Sequence, residues 1–379
     1  MKHVALISTS YPDQEPGSEA AGAFVADFAS TLAQHARVTV LAPARRASNE
    51  IGDKLTVRRF AVPRLPLSQL QALNPAHWPA IAQTLHAGQR AIDKLAKDTH
   101  IDHILALWAL PSGHWARCTG NRLGIPYSCW ALGSDIWSLG RIPLIRTLLQ
   151  RVLRDSHTCF ADGYLLKEDV ARLSGRACEF LPSTRYLAIS GEKHLRTKPP
   201  YRLAFLGRWH PNKGVDLLLD ALQLLSDDDW SGITEVRLAG GGPLATLVAE
   251  RCAQLANAGR PVSKLGYLDR TAASELLTWA DYLILPSRIE SIPVIFSDAM
   301  QAQCPVIATP VGDLPRLQSE HGAGLLADSV SAPGIAAALR TALHHAPLDF
   351  AEGINSARAQ FDLNHACLHL LNRITPTHD

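Results

Sequence analysis

The chain has 379 residues, 47% hydrophobic and 19% charged, with 37 Lys and Arg against 35 Asp and Glu for a formal net charge of +2. That length suits about two or three domains with sizeable cores, and the near-balance of charge argues against a nucleic-acid or polyanion partner. The seven cysteines are scattered without a C-x-x-C, which argues against a disulfide framework or zinc site and for a reducing compartment; no run of 18 apolar residues offers a membrane span.

The first apolar run, 4–8, is too short for the core of a signal peptide and reads as a strand. A Pro-, Gly- and Glu-rich loop from Tyr11 to Glu19 leads to a helix over 21–34, with Phe24, Phe28 and Leu32 on one face at four-residue spacing. Strands follow at 38–41 and 55–60, a long helix at 78–97, and further strands at 104–107, 127–130, 158–161 and 178–181. This alternation predicts a doubly wound parallel sheet. Trp108, Trp115, Trp130 and Trp137 cluster here; their flat faces suit a sugar ring or a core. In Gly133-Ser134-Asp135, Asp135 reads either as an acid binding a substrate hydroxyl or as a helix N-cap. Arg141 to Arg154 predicts a basic amphipathic helix, which packs its apolar face on the sheet or lies on an anionic membrane.

Residues 188–201, with Gly, Lys, Arg and a Pro-Pro pair, read as a linker. A second series follows, with strands at 203–206, 236–239, 283–285 and 306–308 and helices at 215–225, 244–256, 271–279, 294–302 and 333–344; the tail over 351–371 is again helical. Arg208 and Lys213 flank a turn after its first strand, where two cations could neutralise a diphosphate. Asp227-Asp228-Asp229 contains a formal D-x-D but follows a helix, so a solvated loop is expected. Gly240-Gly241-Gly242-Pro243 is a turn that lets backbone approach a ligand, although its spacing fits neither dinucleotide nor P-loop signatures. The histidines show no zinc-binding spacing. From Pro286 to Met300 a buried strand ends, a loop carries Glu290, and a helix carries Asp298 eight residues on. Such loops lie where parallel sheets bind ligands, and a helix N-terminus there suits phosphate. One acid on a sugar and one on a ribose, with a diphosphate between, fits this spacing.

Assembled, these residues resemble a family-4 retaining glycosyltransferase of the GT-B fold over nearly the whole chain. The resemblance rests most on the acid-x7-acid signature from Glu290 to Asp298 and on Gly207-Arg208…Lys213-Gly214; Gly22, Gly133-Ser134-Asp135, the Gly240 turn, Lys264-Leu265-Gly266-Tyr267 and residues 304–309 match more weakly. It implies an α/β architecture of two doubly wound Rossmann-like domains facing across a cleft. These are an acceptor-side domain over 1–190, a nucleotide-sugar domain over 201–350, and a C-terminal helix over 351–379 that returns to the first domain. It further implies a cytoplasmic, metal-independent enzyme without a resident cofactor, with a nucleoside-diphosphate sugar as donor and a glycan or lipid-linked acceptor at the inner membrane face.

In that reading Glu290 holds donor-sugar hydroxyls, Asp298 the ribose, and Arg208 and Lys213 the leaving diphosphate. Gly207, Ile292 and Val294 join the donor cradle, Gly266 and Tyr267 meet the base, and Gly22 faces the phosphates. His114, Trp130 and Asp135 belong to the acceptor or sugar side. Three departures stand out. Asp298 replaces the usual Glu, Leu132 stands where the family commonly carries a His, and Pro293 removes one backbone N–H from the phosphate cradle. The alternatives are a nucleotide-sugar epimerase, an inverting GT-B enzyme, or a non-catalytic sugar-binding or partner-dependent subunit.

Overall fold

The computed structural model describes residues 1–12, 19–189 and 193–374, with the backbone alone for 19–21 and 68. Residues 13–18 of the expected N-terminal loop and 190–192 of the expected linker lie outside the described residues. Two compact units divide the chain: Met1–Arg185 with Leu363–Asp379, and Tyr186–Asp362.

The first unit is built on eight strands: β1 (His3–Ile7), β2 (Arg37–Ala44), β3 (Ser48–Ile51), β4 (Leu55–Ala61), β5 (His103–Leu107), β6 (Tyr127–Ala131), β7 (Cys159–Ala161) and β8 (Cys178–Phe180). Their order is β3-β4-β2-β1-β5-β6-β7-β8. All pairs are parallel except β3 on β4. Every residue of β1, β5, β6 and β7 is buried, as continuous apolar strands covered on both faces must be. Every residue of β3 is exposed, and its Ser-Asn-Glu-Ile sequence carries no apolar signal that could have foretold it. The helices Ser112–Leu123 and Tyr164–Ser174 likewise went unforeseen.

One face of this sheet packs under the helices Trp78–Asp98, Ser112–Leu123 and Pro143–Asp155, through Ile92, Leu95, Trp115, Leu149 and Val152. The other is covered by Glu19–His35 and by the last described helix, Leu363–Ile374. Ala366, Cys367 and Leu370 of that last helix join Val25, Phe28 and Leu32 in one cluster. The expected single tail helix is in fact two. Ala351–Gln360 stays with the second unit, burying Ile354 and Ala357, and the return to the first unit begins at Leu363 rather than at residue 351. The break falls at Phe361 and Asp362, where the chain leaves one core for the other.

The second unit has six parallel strands: β9 (Tyr201–Leu206), β10 (Ile233–Ala239), β11 (Val262–Leu265), β12 (Tyr282–Leu285), β13 (Val306–Ala308) and β14 (Gly324–Leu326), in the order β11-β10-β9-β12-β13-β14. The chain therefore winds outward from β9 in one direction and then, from β12, in the other. That reversal opens a crevice at the carboxyl ends of β9 and β12. Asp227-Asp228-Asp229 is not a loop but the first turn of a short helix, Asp227–Ser231. Ser226 and Asp229 form a capping box, Asp229 also pairs with Arg340 at 3.0 Å, and Asp227 pairs with Arg260. Among the described residues no helix is long and apolar enough to cross a membrane.

Because Leu370 is fully buried in the first unit's core, Leu370→Ala should cost about 2–5 kcal/mol of stability in chemical denaturation. A loss below about 1 kcal/mol would remove the C-terminal helix from that core.

Candidate functional site

β9 and β12 pair with Leu203 beside Tyr282 and Ala204 beside Leu283. The turns leaving their carboxyl ends are therefore neighbours. After β9 the chain runs through Gly207 and Arg208 to a 3-10 turn, Pro211–Lys213, then Gly214 at φ +67° and the helix Val215–Gln223. A Cβ on Gly214 would fall 1.8 Å from the Pro286 carbonyl oxygen, so only glycine lets the two turns touch. Arg288 fastens them. Its backbone N–H donates to Asn212 O at 2.8 Å, and its guanidinium donates to Pro211 O at 2.6 Å and to both carboxylate oxygens of Asp216 at 2.8 and 2.6 Å. Burial alone would raise the Asp216 carboxyl, but the Arg288 guanidinium holds it below the usual carboxylate range.

Glu290 stands over this junction. Its side chain is 12% exposed, forms an ion pair with Lys213 and accepts from Ser287 Oγ at 3.2 Å. Thr309 Oγ1, past β13, donates to Ser287 O at 2.6 Å. Gly312, at φ +55°, lets its backbone pass where a Cβ would lie 2.1 Å from Glu290 O. Three strand-end loops thus fix one carboxylate. The Arg208 side chain is exposed and, among the described residues, its guanidinium has no hydrogen bond or ion pair. Beyond it lies the glycine turn: Trp209 N donates to Gly241 O at 2.8 Å and Gly240 N to Gly266 O at 3.0 Å. Tyr267, 68% exposed, spreads its ring so close over Gly241 that a Cβ there would be 2.5 Å away.

The structure therefore joins Lys213 to Glu290 and places Gly207, Arg208, Gly266 and Tyr267 around the neighbouring glycine turn. Ile292 is buried and Val294 half-buried where the helix Val294–Gln301 begins. Asp298 requires a correction: it is fully buried in that helix, so its carboxylate presents no open face for the expected ribose contact. Sequence reasoning missed Asp216, Ser287, Arg288, Thr309 and Gly312. Gly214 and Gly312, both in turns beside strand ends, were the available signal for close approach, but their partners are distant in sequence.

In the first unit the expected acceptor-side residues are mostly structural. Trp130 is fully buried, donates Nε1–H to Leu181 O at 3.0 Å and packs on Phe28 with ring centroids 4.8 Å apart. It is core, not a sugar platform. His114 is half-buried on the helix Ser112–Leu123, 3.8 Å from Cys118 Sγ, and burial lowers its pKa. Gly22 is the fourth residue of the helix Glu19–His35, in its first turn, and a Cβ there would meet Tyr11 Cα at 2.7 Å. The helix Pro143–Asp155 buries Leu149, Val152 and Leu153, which accounts for most of its apolar face; Leu144, 86% exposed, is its only exposed leucine. Of the two readings of this helix, packing on the sheet accounts for Leu149, Val152 and Leu153.

Asp135 does not reach for a ligand. It is 2% exposed and accepts from Ala109 N at 2.6 Å and Leu132 N at 3.2 Å, tying together the ends of β5 and β6. Burial pushes its pKa up to about 6, against amide donors that favour the ion. A folded pKa above the unfolded value of 3.8 gives stability that is complete at low pH and is lost as pH rises through about 6. The stability difference between wild type and Asp135→Asn, from denaturation at several pH values, should therefore shrink between about pH 4 and 7, by about 3 kcal/mol at most. A difference that is flat or grows with pH would show the carboxyl to be ionised throughout.

Residues 200–345 match the family of glycosyl transferases group 1. A putative teichuronic acid biosynthesis glycosyltransferase of Bacillus subtilis is 26% identical over 285 residues, 70% of this chain and 68% of its own. The sucrose-phosphate synthase of Thermosynechococcus elongatus superposes with a TM-score of 0.72 at 18% identity, covering 98% of each chain. Anabaena HepE, solved in complex with UDP and glucose, superposes at 0.67 with 16% identity over 98% of this chain and 99% of its own. The chain is a glycosyltransferase of the GT-B fold, and its second unit carries the group 1 glycosyl transferase family.

Proposed function

We propose that the protein is a cytoplasmic retaining glycosyltransferase that moves a sugar from a nucleoside-diphosphate sugar to a glycan or lipid-linked acceptor without a metal. The observation that carries this reading is the Lys213–Glu290 ion pair at the carboxyl ends of β9 and β12, where the winding of the sheet reverses, with the exposed Arg208 on the same turn as Lys213. A UDP-and-glucose complex in one structural relative and a teichuronic acid role in the name of one sequence relative support a sugar nucleotide and a glycan.

In the proposed reaction the bond between the sugar's anomeric carbon and the β-phosphate oxygen breaks as the acceptor oxygen bonds to that carbon from the same face. The acceptor's proton leaves with the diphosphate. Negative charge grows on the departing β-phosphate, and Arg208 and Lys213 are cations placed for it before reaction begins. Without donor, Lys213 is neutralised by Glu290; with donor, the phosphate competes for the ammonium while the sugar hydroxyls take up the carboxylate. Binding thus exchanges an internal ion pair for two ligand contacts. The exposed Tyr267 ring beside Gly266 offers a surface for the base. The Asp227 and Asp229 carboxylates pair with Arg260 and Arg340, which supports the cations rather than the D-x-D as partners of the diphosphate.

A nucleotide-sugar panel read by thermal shift should show one donor stabilising the protein by about 2.7 kcal/mol at 100 times its dissociation constant. Arg208→Ala and Lys213→Ala should each lower kcat/KM about 100-fold or more, or about 2.7 kcal/mol. Arg208→Ala should do so at unchanged melting temperature. Glu290→Gln should act mainly on kcat. EDTA should leave turnover intact; its loss with EDTA and return with Mn²⁺ would refute the metal-free reaction.

The buried Asp298 gives a separate expectation. Asp298→Ala should lower the melting temperature while donor KM stays within about twofold. A raised KM at constant melting temperature would return the residue to the ribose.

A further inference from the structure

The first unit carries a surface that the donor reading does not use. From Lys54 to Ile92 the chain contains no Asp or Glu, yet it holds Lys54, Arg58, Arg59, Arg64 and Arg90. Within this stretch the connection from β4 to the helix Trp78–Asp98 contains Leu65, Leu67, Leu70, Leu73 and Trp78. Leu65 and Leu67 pack on the core beneath and anchor the connection. Leu73 and Trp78 turn outward, 76% and 57% exposed, and Leu85, about two turns along the helix, is 37% exposed.

The connection is held in place by its own hydrogen bonds. Trp78 Nε1–H donates to Ala72 O at 2.9 Å and Gln71 N to His77 Nδ1 at 3.0 Å, while Arg64 Nη1 lies 3.1 Å from His77 Nε2. The indole N–H is thereby satisfied within the protein, and the apolar ring remains in water. Ala44 of β2 lies beside Ala61 of β4, and Val62 N donates to Ala44 O at 2.9 Å. Arg45 and Arg46 therefore leave the sheet at the same end as Arg64, and all three are exposed. The nearby acid on β3, Glu50, is engaged by Arg59.

Apolar tips beside cations, on a stretch without carboxylates, match one partner chemistry. A bilayer interface accepts Trp and Leu at the boundary between headgroups and acyl chains, while its anionic phosphates attract arginine. We propose that residues 64–85, together with Arg45 and Arg46, dock the first unit on an anionic membrane surface. This end of β2 and β4 is the carboxyl end, the side on which such sheets gather ligands. Docking there brings a lipid-linked substrate to the unit without requiring it to leave the membrane. The inference goes beyond the donor reading and is measured without turnover, so either can fail alone.

The test is sedimentation of the full-length protein with vesicles of phosphatidylcholine alone or mixed with phosphatidylglycerol. Binding is expected only to the mixed vesicles and should weaken as salt is raised. Arg46→Glu and Leu73→Asp should each lower the partition coefficient about tenfold, with unchanged melting temperature. Leu144→Asp, on the helix Pro143–Asp155, should leave it unchanged. No binding, equal binding to both vesicles, loss only with Leu144→Asp, or a dimer that Leu73→Asp abolishes would each overturn the proposal.

Discussion

The candidate site depends on one close contact: the Gly214 backbone against the Pro286 carbonyl, bridged by Arg288 and Asp216. Two strands side by side do not by themselves place side chains to within a hydrogen bond, because the turns that leave them are free to diverge. Here a residue without a Cβ removes the steric barrier, and a bidentate guanidinium–carboxylate pair supplies directional attraction across it. Lys213 comes from one turn and Glu290 from the other. If the turns parted, the cation and the acid would no longer share a site.

The same logic of fastening recurs in the first unit with a different outcome. Asp135 collects backbone amides from the ends of β5 and β6 and is buried as a result. A carboxylate that has spent its lone pairs on the protein has none for a ligand. Glu290 keeps a partial opening to solvent and an ion pair with Lys213, and that difference in environment distinguishes it from a fully committed structural acid. Trp130 makes the same distinction among the aromatics: its ring and its N–H are both committed to the core.

Amphipathicity divides in the same way. The basic helix Pro143–Asp155 has the stronger sequence pattern, and most of its apolar face is taken up by packing. The irregular connection after β4 has no helical period, yet Leu73 and Trp78 remain outside. A periodic pattern shows that a face will be buried, not against what; an apolar residue left exposed beside cations is informative only once the core has been filled.

The sequence alone determined the alternation of strand and helix, the two-unit organisation and the helix carrying Asp298, because these rest on local periodicity; it also put Arg208, Lys213 and Glu290 at strand ends. It could not reveal the exposed edge strand β3, whose sequence lacks apolar alternation, or the break at Phe361 that sends only Leu363–Ile374 back to the first unit. Nor could it decide which acids are buried: Asp135 and Asp298 look as available as Glu290 when written in a line. The Arg288–Asp216 pair spans 72 residues. Burial and pairing are set by which chain segments meet, and that depends on strand order, which no local spacing encodes; only the tertiary structure settles it.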